Sequence, residues 1–243
     1  MRSVLVLALV LAASLAIAGG GAARPATVKP LPLEDGYCLT AAERKRVVRF
    51  RAGDGVRLLG VMWGTGPRAV VPGHEHRANL CSWAPFARTL ARAGVRVLAF
   101  DHRGFGSSAR GPVRYQSDVV GAIAEVRRRG ATRVVAGGAS MGGTAAIVGG
   151  VAAEADAVFG LSPPAAFAGL DAVAAVRAYD RPLLVAAGAL EPDYPEDARR
   201  IVDASPAAGK SVELPQTGFH GTDILSDRAA AALRAKLVAF VRG

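Results

Sequence analysis

At 243 residues, 51% of them hydrophobic, the chain is long enough to bury the core of one sizeable domain and too apolar to stay disordered between its ends. Thirty Lys and Arg against 20 Asp and Glu leave a net charge of +10. That balance suits an anionic surface or substrate. The basic residues are not interleaved with aromatics, however, and no nucleic-acid partner is expected.

Residues 1–23 read as an export signal. Arg2 is a minimal positive n-region, Val4 to Ala18 is continuously apolar, and Ala16-Ile17-Ala18 offers an A-x-A cleavage site, with Ala22-Ala23 as a later one. The apolar run is short for a membrane span, so contact with a membrane is expected only through this segment if it stays uncleaved. No cysteine follows it that would carry a lipid anchor. The expected location is outside the cell or in its envelope. Residues 24–45 read as a Pro-rich linker and N-terminal extension, and 46–243 as a single domain. Cys38 and Cys81 are the only cysteines. In an oxidising compartment they invite one disulfide, worth about 4 kcal/mol if it acts by restricting the unfolded chain.

Arg46 to Arg51 and Val56 to Trp63 alternate around Ala52-Gly53-Asp54-Gly55, a hairpin signal. Ala69-Val70-Val71 is a third strand, ending at Pro72-Gly73-His74-Glu75-His76, and a helix is expected from about Ser82 to Ala93. Val95 to Phe100 is a strongly apolar strand, and Arg114 to Arg129 suits a helix. Arg133 to Gly137 is the next strand, with small apolar residues suited to a helix from Gly143 to Gly150. Further strands are expected at Ala157 to Gly160, Leu183 to Ala187 and Ser211 to Leu214. Helices are expected near Ala165 to Ala178, near Pro195 to Asp203 and over Asp223 to Val241. Alternation of this kind requires a mostly parallel sheet with helices on both faces. The two leading antiparallel strands make it a mixed, eight-stranded sheet. Only about twenty residues separate the strands at Phe159 and Leu183, too few for a large lid.

The stretch that carries chemistry is Gly138-Ala139-Ser140-Met141-Gly142. A G-x-S-x-G run between a strand and a helix forms a turn too tight for side chains at its flanks, and it exposes the serine hydroxyl. A serine needs a base, itself held by an acid. Of the histidines at 74, 76, 102 and 220, only His220 follows the later strands, in a Gly-flanked loop before the last helix. The acid is expected after the strand at Leu183, where Glu191 and Asp193 compete. Serine, acid and histidine then fall in the chain order this architecture requires.

With these residues in hand the chain resembles the α/β-hydrolase fold family, from about Arg46 onward. The resemblance rests on the serine elbow and on Asp101-His102-Arg103-Gly104-Phe105-Gly106-Ser107-Ser108, similar to the family's D-x-R-G-x-G-x-S loop. It rests also on a G-x-x-D-x-x-x-P acid loop whose aspartate falls on Glu191, with Gly188 and Pro195 in register. The tracts around Cys38 and over Asn79-Leu80-Cys81-Ser82-Trp83 resemble secreted bacterial members of unassigned substrate, in keeping with export and a disulfide.

The resemblance implies two backbone oxyanion donors. One is expected from Met141. The other is expected from the loop where the family has H-G-x and this chain has Gly73-His74-Glu75-His76, so His74, Glu75 and His76 are all candidates. His74 and His76 lack a matching acid cluster, so no metal is expected, and no cofactor. Asp101, Arg103 and Asp118 are expected to tie loops together. The expected reaction is cleavage of a small or polymer-borne carboxylic ester through an acyl-enzyme. The alternatives are a peptidase or thioesterase with the same residues, or an inactive envelope binding protein. The oligomeric state is left open.

Overall fold

The computed structural model describes residues 37–243. The expected export signal over 1–23 lies outside the described residues. Eight strands form one sheet in the order β1-β2-β4-β3-β5-β6-β9-β10. β1 (Val47–Arg51) and β2 (Arg57–Trp63) are antiparallel neighbours, and β2 runs antiparallel to β4 (Arg96–Asp101). From β4 the sheet is parallel through β3 (Arg68–Gly73), β5 (Arg133–Ala139), β6 (Ala157–Leu161), β9 (Leu183–Ala186) and β10 (Lys210–Glu213). The sheet is therefore mixed, with a parallel body.

The central strands are apolar on both faces because both faces are covered. Along β5, Val134 and Ala136 join the core on one side of the sheet, while Val135 and Ala139 join the core on the other. The first core takes Val119, Ile123 and Val126 of α3 (Tyr115–Arg128), Ala145 and Ile147 of α4 (Met141–Ala152), and Ile201 of α6 (Tyr194–Ala204). The second takes Phe86 and Leu90 of α2 (Ala84–Arg92) and Leu233, Leu237 and Val241 of α7 (Ala231–Arg242).

Two expected helices are corrected. The segment expected as one helix over Ala165 to Ala178 begins instead as a small hairpin, β7 (Ala166–Phe167) with β8 (Leu170–Asp171). Its two turn residues, Ala168 and Gly169, both have positive φ (49° and 81°), the requirement of a two-residue hairpin turn. Only α5 (Ala172–Val176) is helical, started by the Asp171 carboxylate accepting from Ala174 N. The expected closing helix over Asp223 to Val241 is likewise divided. Short 3₁₀ segments at Gly221–Ser226 and Arg228–Ala230 come before α7, and Asp227 caps the second of them. The expected helix from Ser82 similarly opens with a 3₁₀ turn over Leu80–Trp83.

The described residues before β1, 37–46, are fastened to the rest of the domain. A disulfide joins Cys38 to Cys81, 43 positions apart. Nearby, Glu43 of α1 (Ala41–Arg44) accepts from Trp63 Nε1 at 2.7 Å and from Arg88 Nη2 at 2.7 Å. The Arg88 guanidinium holds the Glu43 carboxyl well below the usual carboxylate range.

Candidate active site

Five neighbouring parallel strands (β3, β5, β6, β9 and β10) end on the same edge of the sheet, so the loops after them gather there. Ser140 stands between β5 and α4 at φ 50°, ψ −122°, a conformation that L residues rarely hold. The turn is closed by two glycines. A Cβ on Gly138 would lie 2.1 Å from the carbonyl oxygen of Gly142. One on Gly142 would lie 2.5 Å from the carbonyl oxygens of Gly73 and His74. The start of α4 is thereby pressed against the end of β3. Ser140 N donates to Leu161 O at 2.8 Å, which fixes the elbow to β6. Among the described residues no carbonyl receives the N–H of Met141, at the positive end of the helix.

Glu191 and the His220 imidazole meet. His220 Nδ1 lies 2.6 Å from Glu191 Oε1. The other carboxylate oxygen, Oε2, accepts from Gly188 N at 2.6 Å and from Ser162 Oγ at 2.6 Å. The Glu191 side chain is buried (3% exposed), whereas that of His220 keeps 37% of its surface open. Asp193 is brought to a different place. It is the exposed N-cap residue of α6, and among the described residues its carboxylate makes no hydrogen bond to His220. The ring of Tyr194 packs 4.5 Å from that of His220, its phenol pushed up by burial and by the nearby Glu191. Ser140 Oγ makes no side-chain hydrogen bond among the described residues, so it and the imidazole are not directly bonded. Their loops are joined through β6, since Leu161 accepts from Ser140 N and Ser162 Oγ accepts from Gly221 N at 3.2 Å.

The loop after β3 contributes three residues with different fates. His74 is fully buried, and its Nε2 accepts from His102 N at 3.0 Å, so its Nδ1–H donates to Glu75 O at 2.7 Å. Burial, reinforced by the adjacent His102, pushes this imidazole down to about 3, and it is neutral at ordinary pH. The Glu75 carboxylate turns to the loop after His220, accepting from Thr222 N at 2.6 Å and from Thr222 Oγ1, and also from Ser82 Oγ at 2.9 Å. His76 is exposed, its ring 5.6 Å from that of Phe105 and 6.4 Å from that of Phe167 on the β7–β8 hairpin.

Beneath these loops, Asp101 accepts from Leu80 N and Ser107 N, and Arg103 spans Asp118 and Asp54. Burial opposes the charge of Arg103, yet those two carboxylates hold its guanidinium above its ordinary value. These residues tie loops together, in line with their expected part. Ser162 is the site residue that sequence reasoning missed. A Ser-Pro-Pro after an apolar strand carries no pattern that singles it out.

Comparison with known proteins agrees with this fold. A family model described as serine aminopeptidase, S33, matches residues 69–178. No curated protein sequence matches the chain. Among solved structures, an esterase from Pyrococcus furiosus superposes with a TM-score of 0.66 at 17% identity, over 81% of this chain and 89% of that one. The esterase domain of a Rhodothermus marinus protein gives 0.63 at 22%, over 81% and 97%. An esterase from Exiguobacterium antarcticum gives 0.65 at 17%, over 81% and 99%. The chain has the α/β-hydrolase fold.

Proposed function

We propose that the protein is an exported serine hydrolase that cleaves a carboxylic ester. The observation that carries the reading is the 2.6 Å bond between His220 Nδ1 and a buried Glu191, on loops adjoining the Ser140 elbow. With Nδ1–H committed to the carboxylate, the imidazole offers Nε2 as the base. Ser140 Oγ attacks the substrate carbonyl carbon and gives its proton to His220 Nε2. The oxyanion takes hydrogen bonds from Met141 N–H and from a backbone N–H of the His74–His76 segment. Collapse breaks the ester C–O bond, and His220 returns the proton to the departing alcohol. Water, deprotonated by the same nitrogen, then releases the acid and restores the serine. Glu191 orients the imidazole and stabilises its charge. Export is supported by the Cys38–Cys81 disulfide, a bond of oxidising compartments.

Labelling with a fluorophosphonate probe and mapping the modified peptide should identify Ser140. Ser140→Ala should abolish turnover of p-nitrophenyl acetate while leaving the melting curve nearly unchanged. Labelling elsewhere, or turnover retained in that variant, would refute the mechanism. A chain that neither labels nor turns over ester would instead support a binding protein on the same fold. The match to a serine aminopeptidase model favours a second reading, amide cleavage by the same groups. Faster turnover of aminoacyl p-nitroanilides than of matched esters would support it.

A further inference from the structure

Ser162 follows β6 directly, is fully buried, and has no part in the chemistry just proposed. Its backbone sits at φ 44°, a left-handed conformation that disfavours any residue with a Cβ and suits glycine. A serine held there against that preference points to a use for its hydroxyl. That hydroxyl donates to Glu191 Oε2 at 2.6 Å and accepts from Gly221 N at 3.2 Å. One oxygen thus bridges the carboxylate on the loop after β9 to the backbone beside His220 on the loop after β10. Glutamate carries one more rotatable bond than aspartate, so its carboxylate plane needs more fixing. Two donors on Oε2, Ser162 Oγ and Gly188 N, leave Oε1 facing His220 Nδ1.

We infer that Ser162 is a positioning residue for the Glu191–His220 pair. The inference rests on the serine-hydrolase reading. The hydroxyl sets the plane of the carboxylate and seats the backbone after His220, so that the imidazole keeps one tautomer and one orientation. A hydroxyl that merely satisfied a buried N–H would affect stability and leave turnover alone.

The test compares the wild type, Ser162→Gly and Ser162→Ala, each with Glu191 intact and with Glu191→Ala, measuring melting temperature, kcat and KM on p-nitrophenyl acetate. Glycine removes the hydroxyl while relieving the backbone. Ser162→Gly is therefore expected to melt close to the wild type yet to lose about tenfold in kcat, the scale of one hydrogen bond to a charged group, with KM within about twofold. In the Glu191→Ala background the same change should alter kcat less than about twofold, because the group it acts through is gone. A kcat for Ser162→Gly within about twofold of wild type overturns the inference, as does the full loss recurring without Glu191. An inactive wild type would overturn the hydrolase reading itself. An active wild type beside an unimpaired Ser162→Gly would overturn only the positioning role.

Discussion

The close approach of α4 to the end of β3 makes Gly142→Ala an informative substitution. The added methyl would sit 2.5 Å from Gly73 C, Gly73 O and His74 O, where ordinary contact begins near 3.4 Å. All three neighbours are backbone atoms, so no rotamer change relieves the clash, and the two segments must part by about 0.9 Å. Met141 N–H lies on one side of that contact and the His74–His76 backbone on the other. Parting them spreads the two proposed oxyanion donors, and displacements near 1 Å at a reacting centre cost about 100-fold in rate. Overpacking should cost about 1–3 kcal/mol of stability, a fall of about 2–12 °C in melting temperature for a domain of this size. The kcat for p-nitrophenyl acetate and a thermal melt measure both. Gly143→Ala is the comparison, since its methyl meets Pro163 Cβ at 3.1 Å and Gly138 O at 3.2 Å and needs a shift of only a few tenths of an ångström. A Gly142→Ala enzyme with kcat within about threefold of wild type and an unchanged melt would refute the reasoning.

Glu191→Gln should lower kcat by about 10³ to 10⁴, because an amide no longer selects the Nδ1–H tautomer of His220, while Asp193→Asn stays within about twofold; steady-state kinetics on the pair decides between the carboxylates. Reducing the Cys38–Cys81 bond, or replacing both residues with serine, should cost about 4 kcal/mol, read from the denaturant midpoint with and without reductant. The imidazole of His74 is held down to about 3 from 6.5. The unfolded chain therefore takes up a proton that the folded one refuses between those values, and stability falls as pH drops below about 6.5. In His74→Gln the slope of unfolding free energy against pH near 5 should be shallower by about 1.4 kcal/mol per pH unit; an unchanged slope would assign the acid sensitivity elsewhere.

The parts of the fold legible in the sequence were those fixed by local chemistry. The continuous apolar runs at Val95 and Arg133 announced strands buried on both faces, and the glycines around Ser140 announced a sharp turn between strand and helix. The acid loop was legible to two candidates, and the structure places them differently: Glu191 reaches inward to His220, while Asp193 faces solvent at the start of α6. The β7–β8 hairpin was not legible. The alanines and valines over 165–178 suit a helix, and the positive φ of Ala168 and Gly169 turns the chain back before Asp171. Ser162 was invisible for a related reason, since its role depends on Glu191 and Gly221, 29 and 59 positions away.

The hairpin has a consequence for how a substrate arrives. Between β6 and α5 the chain inserts only two two-residue strands, with Phe167 resting near His76. On the proposed reading, no large segment between β6 and α5 has to swing aside before an ester reaches Ser140. The rate should accordingly climb smoothly with concentration, with no jump where an oily substrate begins to form droplets.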